Sequence, residues 1–492
     1  MGAYGVSLVL LTAVGALILN FVCNLYRHRR VFKDLPKPPH SFLWGHIKLM
    51  GEISNQLPPN CHIQILPTTI AQKYGLKGIW YLNLWPIADP EVVLTDPDLM
   101  DSVQVARVFN QHRLAQDVLT SVLGEDVVAA ANGPVWKKLH NAMAPAFLPS
   151  HVRTLAWLIA EETVVFRGTL KRLARSNQAF SAEHELSKLI FDVVGRVVFN
   201  FPLNAQTQGS SYHEDLKRTV HLLNQQISPN PLVKLQATLK KRAVRKRVDA
   251  SVAAKIQERL VALRSENIVP SRKDPLSILD LMLRETVLRG GTRKGSGAVE
   301  LPEGELELLV TNVKGLLLGG MGTSVDTLCY AYMLLSKHPE AVQKMLEEHE
   351  AVFGRDLETI LENLKESPAK LGELGYTTGV IKETLRLFPM GYGVKEAPAG
   401  ATVSYQGREY PVDDNLVTAP CWHHALRPAI LPGVQRISTG AFSGRRCSPR
   451  LVPQLQSRAA GLPGPEPRCR YHARGPAAHC SRFPLRGRRA PA

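Results

Sequence analysis

Cysteine is scarce in this chain, and its copies follow no pattern. Seven cysteines are spread over 492 residues, and no two of them form the closely spaced pairs that hold zinc. Their number and spacing exclude a disulfide-stapled scaffold and favour a reducing compartment. Disorder of the whole chain is excluded as well, because 45% of its residues are hydrophobic and can form a large core.

Acidic residues are nearly absent from the C-terminal segment 425–492. This segment contains thirteen arginines and ten prolines, but its only acidic residue is Glu466. Most of the net charge of +17 therefore belongs to a basic, low-complexity tail, and the rest of the chain is only mildly basic. Arginine clusters bind phosphate, so a nucleic acid or an acidic lipid is one candidate ligand for the tail.

Charged residues are also absent from the N-terminus, where none occurs before Arg27. The run 6–26 is apolar and, at ~1.5 Å per residue, would form a helix ~31 Å long, which is enough to cross a bilayer. The basic cluster 27–30 follows directly and favours a cytosolic body. A cleaved signal peptide would carry its basic residues first, so we expect residues 1–30 to be a retained anchor with a basic stop.

Prolines and apolar periodicity divide the rest of the chain. The proline-rich residues 31–45 predict a stiff hinge. Residues 46–424 predict a domain that is mainly α with a small β part, because helical spacing dominates and only 75–95 and 405–417 favour strands. Helices are predicted at 134–146, 151–174, 184–198, 212–226, 232–265, 275–288, 303–337, 339–353 and 376–388.

A glycine-rich step lies in the middle of one long predicted helix. Gly319, Gly320 and Gly322 lie beside Thr323 and Ser324, and each glycine inside a helix costs roughly 1 kcal/mol relative to alanine. Such a helix can open locally and admit a ligand close to its backbone, with a hydroxyl group beside it. Close packing against another helix is the alternative explanation for the glycines.

Two further pairs of residues have spacings that place them on one face of a helix. Glu383 and Arg386 are three residues apart, and Pro389 ends the helix after them. They form either an exposed ion pair of little energetic value or a buried pair that orders the following chain. Trp136 and His140 are four residues apart, and they form either part of an ordinary amphipathic helix or a pair of N–H donors for a buried anion.

These three elements, in this order, resemble those of the cytochrome P-450 family of haem-thiolate monooxygenases. Trp136 with His140 is similar to the family's W-x-x-x-R element, and Glu383 with Arg386 is similar to its E-x-x-R element. Residues 319–324 are similar to A/G-G-x-D/E-T-T/S. The resemblance covers residues 1 to about 424 and implies the cytochrome P-450 fold behind one N-terminal transmembrane helix, as in microsomal members.

The resemblance also implies a function and its partners. A member of this family would use O2 and electrons from an NADPH-cytochrome reductase to oxidise an apolar small molecule on haem b. The style of the chain is similar to that of fungal members that serve secondary metabolism. We expect a monomer without a nucleic-acid partner, held by a single pass in the endoplasmic reticulum membrane with its catalytic body in the cytosol.

The same resemblance assigns roles to individual residues. It assigns oxygen activation to Thr323, Ser324 and Gly320, and haem binding to Trp136, His140, Glu383 and Arg386. One departure is that Gly322 stands where the family has an acid before the threonine. Because the family uses an acid–alcohol pair to deliver protons to oxygen, only hydroxyl groups and water would remain for this step.

A second departure concerns the cysteine that ligates the haem iron. The family loop has the pattern F-x-x-G-x-R-x-C-x-G, whereas the nearest match starts at Phe442 and reaches Cys447 after five residues rather than seven. Pro449 then blocks the helix that should follow. No metal ligand is therefore assigned in the sequence as written, and the C-terminal end is aberrant.

A reading frame shifted by one nucleotide would restore the missing loop. Read one nucleotide later, the codons of 455–464 can encode F-S-R-G-P-R-G-C-L-G, with the cysteine codon straddling Leu462 and Pro463. In the same frame, 437–442 can encode F-R-P-E-R-F, which resembles the family's preceding P-E-R-F segment. We therefore hypothesise a frame slip near residues 423–432, which also explains the composition of the tail.

Three hypotheses for function follow from these patterns. The first is a membrane-anchored monooxygenase, encoded by the authentic gene. The second is a catalytically dead remnant, because the chain as written lacks the iron ligand. The third is a tethered protein that binds nucleic acid or acidic lipid through its tail. The frame slip already explains the composition of the tail, so this third hypothesis is not needed.

Overall fold

The described part of the chain is mainly helical with small sheets, as the sequence predicts. The computed structural model describes residues 3–58, 64–103, 109–176, 179–226, 231–266, 268–270, 277–289, 301, 303–391, 393–412 and 416–419. These residues form two compact units. The sheet unit contains the described residues among 3–113 and 391–419, and the helical unit contains those of Leu114–Met390. Cys447 and the rest of the predicted tail lie outside the described residues.

The sheet unit contains all seven described strands and four helices. The helices are α1 (Ala3–Val31), α2 (Ile47–Ser54), α3 (Ile65–Tyr74) and α4 (Pro97–Asp101). The strands are β1 (Ile79–Leu82), β2 (Glu91–Leu94), β3 (Asn110–Gln111), β4 (Gly393–Glu396), β5 (Thr402–Tyr405), β6 (Arg408–Pro411) and β7 (Leu416–Ala419). Five of the strands form one sheet in the order β1-β2-β7-β4-β3, and β5 pairs with β6.

The strands follow the breaks that the sequence predicts between 75 and 95. β1 and β2 pair antiparallel with Ile79 opposite Leu94, and all four residues of β1 are buried, as its continuous apolar run requires. The two-residue turn between β5 and β6 consists of Gln406 and Gly407, both with positive φ (51° and 76°). This is the backbone of a tight antiparallel hairpin, for which glycine is well suited.

Helix α1 is the candidate membrane anchor. Its span Leu10–Val31 is long and apolar enough to cross a membrane, and only 6% of its most apolar window is buried. The predicted hinge that follows is in contact with the sheet unit. In particular, the amide of Tyr81 donates to the carbonyl of Pro36 (2.9 Å), and the ring of His46 contacts the carbonyl of Pro38 (3.2 Å).

The helical unit contains twelve described α-helices. They are α5 (Arg113–Leu123), α6 (Gly133–Met143), α7 (Pro149–Thr154), α8 (Ala156–Ser176), α9 (Ala182–Phe199), α10 (Ser211–Gln226), α11 (Pro231–Ser265), α12 (Ile278–Arg289), α13 (Glu303–Leu335), α14 (Pro339–Phe353), α15 (Leu357–Glu366) and α16 (Gly375–Leu387). The predicted helix 151–174 is divided at Leu155, between α7 and α8, and α5 and α15 were not predicted.

Helix α13 is the central helix of this unit. It packs against α9, α11 and α16, and it is half buried although it is apolar enough to span a membrane. Polar contacts fix its first half, because Asn312 accepts from the amide of Val128 (2.8 Å) and donates to the carbonyl of Asp126 (3.1 Å). The buried Lys314 donates to Asp249 of α11. These contacts fix the rotation of α13 about its axis.

The glycines of α13 do not open the helix. α13 is continuous from Glu303 to Leu335, so the expectation of a locally opened helix is wrong. Two glycines instead allow close packing. A Cβ on Gly315 would lie 2.9 Å from a methyl group of Val127, and one on Gly320 would lie 3.2 Å from a methyl group of Val194 on α9. Part of the glycine pattern is therefore explained by packing.

A pair of alanine substitutions tests this account of α13. Gly319→Ala adds a Cβ that meets nothing within 4 Å, so it should raise the free energy of unfolding by about 1 kcal/mol through helix propensity. Gly320→Ala should gain clearly less or lose stability, because Val194 must move. Thermal unfolding followed by helical circular dichroism, with the full chain in detergent, measures the difference. Equal stabilisation by both variants would contradict close packing at Gly320.

The sheet unit should lose stability as the pH falls below 6.5. His46 is fully buried, and its Nδ1 accepts from the amide of Asn83 (2.7 Å), which requires a neutral ring. Burial first, and then the charge of His40, lower the pKa of His46 to about 4. Between pH 6.5 and about 4 the unfolded chain therefore binds a proton that the folded chain does not, and folding is progressively disfavoured.

Hydrogen exchange of the sheet unit between pH 7 and 4.5, corrected for intrinsic rates, measures this dependence. The variant His46→Gln should be less stable at neutral pH but should show a shallower loss on acidification. An unchanged pH slope in His46→Gln would exclude His46 as its source.

Candidate functional site

In the middle of α13, one face of the helix has no side chains packed against its backbone. Gly319 and Gly322 are three residues apart, and a Cβ on either would meet nothing within 4 Å. Thr323 is four residues after Gly319, so it lies on the same face, and its side chain is exposed. A flat group could approach the backbone of the helix here without displacing any side chain. We call Gly319, Gly322 and Thr323 the open face.

The hydroxyl group of Thr323 is oriented by the helix itself. Its Oγ1 donates to the carbonyl of Gly319 (2.7 Å), and the hydroxyl of Thr327 donates in turn to the carbonyl of Thr323 (2.7 Å). Because the hydrogen of Thr323 is committed to the backbone, its oxygen is available at the open face as an acceptor. A hydroxyl oxygen at a fixed position can accept a hydrogen bond from a water molecule and hold it in place.

The other two predicted catalytic residues lie on a different side of α13. Gly320 faces Val194 of α9, as its close packing distance shows. Ser324 follows Gly320 by four residues, so it lies on the same side of the helix, and it is half-buried. Thr323 is three residues after Gly320, so it lies between the packed position of Gly320 and the open position of Gly319. The helical spacing already contained this signal, since neighbouring residues on a helix point about 100° apart.

A carboxylate on the open face was missed in the sequence. Asp326 is three residues after Thr323 and seven after Gly319, so it lies on the same side of α13, and it is exposed. The position before Thr323 is Gly322 and carries no side chain. The acid that lies closest to Thr323 along this face is thus one turn later than the pattern A/G-G-x-D/E-T-T/S would place it.

Trp136 and His140 form a stacked pair on the surface of α6. Their ring centroids are 4.7 Å apart with an interplanar angle of 25°, and both residues are exposed. The helix begins at Gly133 with Pro134 in its first turn, where a missing N–H costs nothing. The structure thus brings the two predicted residues together with their N–H groups accessible. Their role as anion donors stays a prediction.

Glu383 and Arg386 form a buried ion pair on α16. The guanidinium group donates from Nε and Nη2 to the two carboxylate oxygens, each at 2.7 Å, and the side chains are only 3% and 14% exposed. The hydrogen bond to Glu383 raises the pKa of Arg386. The alternative of an exposed pair is therefore wrong, and the buried pair is present.

The C-terminal end of α16 is also tied to α13. The ring of Phe388, directly after the helix, stacks on Tyr330 with centroids 4.1 Å apart and an interplanar angle of 5°. Tyr330 lies two turns beyond Thr323 on α13. The ion pair and the open face therefore belong to two helices whose relative position is fixed by an aromatic contact.

The described cysteines do not fit the role of a haem-iron ligand. Cys23 is exposed on α1, and Cys329 is partly buried on α13. Cys329 is seven residues after Gly322, so it lies beside one edge of the open face, but neither cysteine stands in the pattern F-x-x-G-x-R-x-C-x-G. Burial, with Asp326 and Glu183 nearby, raises the pKa of its thiol to about 12, so that it is protonated at neutral pH. Within the described ranges, no group of three His, Cys, Asp or Glu residues could hold a metal ion.

Haem therefore fits the described residues only in part. The open face leaves the helix backbone accessible at Gly319 and Gly322, and Trp136 with His140 offers N–H donors of the kind that carboxylates bind. A thiolate for the iron is not found among the described residues.

Comparison with known proteins identifies the family. A family model described as cytochrome P450 matches residues 36–425, which ends at almost the same residue as the resemblance seen in the sequence. Cytochrome P450 monooxygenase acrF of Aspergillus aculeatus is 29% identical over 359 residues, which cover 71% of this chain and 68% of that protein. Cytochrome P450 monooxygenase polC of Polytolypa hystricis is 25% identical over 438 residues, covering 87% and 77%.

The fold agrees with this match. The crystal structure of the cytochrome P450DA heme domain superimposes with a TM-score of 0.60 at 17% identity, over 79% of this chain and 78% of that one. This similarity concerns the fold alone. Because the family model spans well over half of the sequence, the chain belongs to the cytochrome P450 family of monooxygenases.

Proposed function

We propose that the intact gene product is a haem-thiolate monooxygenase that oxidises an apolar small molecule with O2. The observation that carries this proposal is the open face of α13, with its exposed Thr323, held beside the buried Glu383–Arg386 pair by the stacking of Tyr330 on Phe388. A helix face without bulky side chains leaves room for a large flat cofactor and a small oxygen ligand beside its one hydroxyl group. The same face offers little surface for packing against another helix. The fungal relatives favour a role in secondary metabolism.

Haem b would lie against the open face, and two pairs of residues would surround it. Trp136 and His140 would donate to its propionates, while Glu383 and Arg386 would hold the backbone that follows α16. When bound through a thiolate, the haem supplies the activation of oxygen. The protein supplies the pocket wall, the propionate donors and a hydroxyl group at Thr323.

Proton delivery would differ from that of members with an acid before the threonine. Thr323 has its hydrogen bonded to the carbonyl of Gly319, so it can position a water molecule but has no carboxylate in the preceding position. Asp326, one turn further along the same face, is the side chain we propose as the local proton donor. Ser324 and Gly320 would shape the α9 side of the helix.

The same proposal covers partners and location. The apolar helix α1 and the exposed Arg27 and Arg30 after it support a single-pass anchor with the body in the cytosol. The endoplasmic reticulum is the membrane in which an NADPH-cytochrome reductase could supply electrons. We propose that the protein acts there as a monomer.

The chain as written is proposed to be catalytically dead. The family match ends at residue 425, and the described cysteines offer no thiolate. We hypothesise that the loop that would hold the iron is encoded in the shifted frame, where the cysteine codon would straddle Leu462 and Pro463. The two proposed functions therefore belong to two products. The chain with the restored frame would be the enzyme, and the present chain would be its remnant.

Restoring the frame tests the proposed function. The chain as written and a chain whose codons after residue 432 are read one nucleotide later are expressed with added haem. The restored chain should give, after reduction and addition of carbon monoxide, the long-wavelength absorption typical of thiolate ligation. The chain as written should not give this absorption.

A third chain serves as the control, with the cysteine of the restored loop replaced by alanine. It should lose this absorption while keeping its helical circular dichroism. A restored chain that folds but shows no thiolate spectrum would contradict the proposal.

A further inference from the structure

The end of α1 becomes buried along one face, from the exposed Phe21 to the buried Phe32. Phe21, Leu25, His28 and Phe32 follow each other at intervals of four, three and four residues, so they lie on one face of a helix. Leu25 is only 2% exposed and Phe32, directly after the helix, only 3%. The described side chains of residues 10–20 are all exposed. The last turns of α1 are thus packed on the sheet unit, although they belong to the apolar span.

Arg29 is enclosed by four acceptors. Its Nε donates to the carbonyl of Phe42 (2.7 Å), and Nη2 donates to the carbonyls of Leu43 (3.0 Å) and Trp85 (3.1 Å). Nη1 donates to Oδ1 of Asn83 (2.6 Å). None of these four acceptors is a carboxylate. We call these four acceptors the Arg29 cage.

The cage is closed by contacts around Asn83. The side chain of Asn83 also donates to the carbonyl of His28 (3.2 Å), and its backbone amide donates to the ring of His46. Gly45 has a positive φ of 57°, and a Cβ there would lie 2.4 Å from the carbonyl oxygen of Asn83. Only glycine allows the loop 41–45 to fold so closely over the guanidinium group.

An aromatic contact reinforces the same junction. The ring of Trp85 stacks on His28, with centroids 4.8 Å apart and an interplanar angle of 14°. It also stacks on Phe21, at 5.3 Å and 29°. Phe21 and His28 are two turns apart on α1, so one tryptophan from the region after β1 holds both turns.

The burial of Arg29 separates it from the other basic residues of its cluster. Arg29 is 6% exposed, whereas Arg27 and Arg30 are exposed. A charge-assisted hydrogen bond is stronger than a neutral one, and removal of the guanidinium group would leave buried acceptors unsatisfied. Of the three arginines in the basic cluster, Arg29 is thus the one whose charged group is bound by the protein itself.

We propose that Arg29 is a positioning residue. It joins the membrane anchor α1 and the rest of the sheet unit into one rigid piece. The proposal rests on the proposed role of α1 as an anchor. In this arrangement the predicted hinge does not act as a pivot, because the cage crosses it through Phe42 and Leu43. The orientation of the sheet unit at the membrane then follows the tilt of α1.

One consequence is a second contact with the bilayer. Phe42, Leu43, Trp44 and Ile87 are between 51% and 71% exposed, and they lie at or next to the residues that form the cage. The junction therefore holds these side chains beside the last turns of α1, where the helix leaves the membrane. Aromatic and aliphatic side chains at this level are stabilised in the lipid interface.

Hydrogen exchange of the full chain in lipid nanodiscs tests the proposal. Gly45 and His46 are the reporters, because their amides donate to the carbonyls of Ser41 and Asn83. Arg29→Gln should accelerate exchange of this segment by about tenfold or more, since several charge-assisted bonds are lost. Arg30→Gln removes the same charge from the next position and should leave exchange unchanged. Equal effects of the two variants, or no effect of either, would overturn the proposal.

A second variant distinguishes loss of the Arg29 cage from misfolding of the sheet unit. Arg29→Lys keeps the charge but cannot reach four acceptors at once, so it should accelerate exchange at the reporters while exchange in β1 and β2 stays slow. Wild-type protection in Arg29→Lys would overturn the proposal.

Extraction of membranes with alkaline carbonate separates this result from the anchor itself. All variants should stay in the membrane, because the apolar part of α1 is unchanged. Release of the wild-type chain would refute the anchor, whereas the rigid junction can still be measured in detergent.

Discussion

The packing of α13 at its glycine step, close at Gly320 and open at Gly319 and Gly322, is the constraint on which the candidate site depends. Gly320 lets the helix approach Val194 of α9, while Asn312 and Lys314 fix its rotation through polar contacts. Because the helix is held by these contacts, its surface can remain bare at Gly319 and Gly322 without loss of helix. A helix surrounded by neighbours could not offer its backbone to a flat ligand. The site is therefore a product of asymmetric packing rather than of a broken helix.

The buried ion pair of α16 fixes the end of this helix, from which the following chain starts. Glu383 and Arg386 neutralise each other in a largely buried position, which is stable only because both oxygens of the carboxylate are used. Phe388 then ties the end of α16 to Tyr330. In the family such a pair orders the haem loop. In this chain the family match ends at residue 425, and under the frame-slip hypothesis the loop that follows would be encoded in another frame.

Much of this architecture could be predicted from the sequence because periodicity reports local structure. The helical spacing identified α9 to α14 and α16 within a few residues, and the prolines after Leu84 separated β1 from β2. Proximity of Glu383 to Arg386, and of Trp136 to His140, also follows from helical spacing alone. Burial does not, because it depends on neighbours from distant parts of the chain. The ion pair could therefore be located but not called buried.

Two groups of neighbouring residues are separated by their tertiary contacts. Gly320 packs against Val194 of α9, whereas a Cβ on Gly319 or Gly322 of the same helix would meet nothing within 4 Å. Arg29 was grouped with its basic neighbours, although acceptors at residues 42, 43, 83 and 85 enclose it. Patterns of charge and glycine describe composition along the chain. Only tertiary contacts decide which member of a cluster faces a ligand, a lipid or the protein.

The nucleotide sequence of genomic DNA and transcript across codons 420–492 tests the central claim most directly. The account predicts that the codons, read one base later, spell the cysteine loop over residues 455–464 and that a slipped base or a misplaced intron edge lies near codons 423–432. The body of the chain is then that of a haem-thiolate monooxygenase with a displaced C-terminus. If the shifted codons do not encode this cysteine, the frame slip is wrong and the chain is a member of the family without an iron ligand.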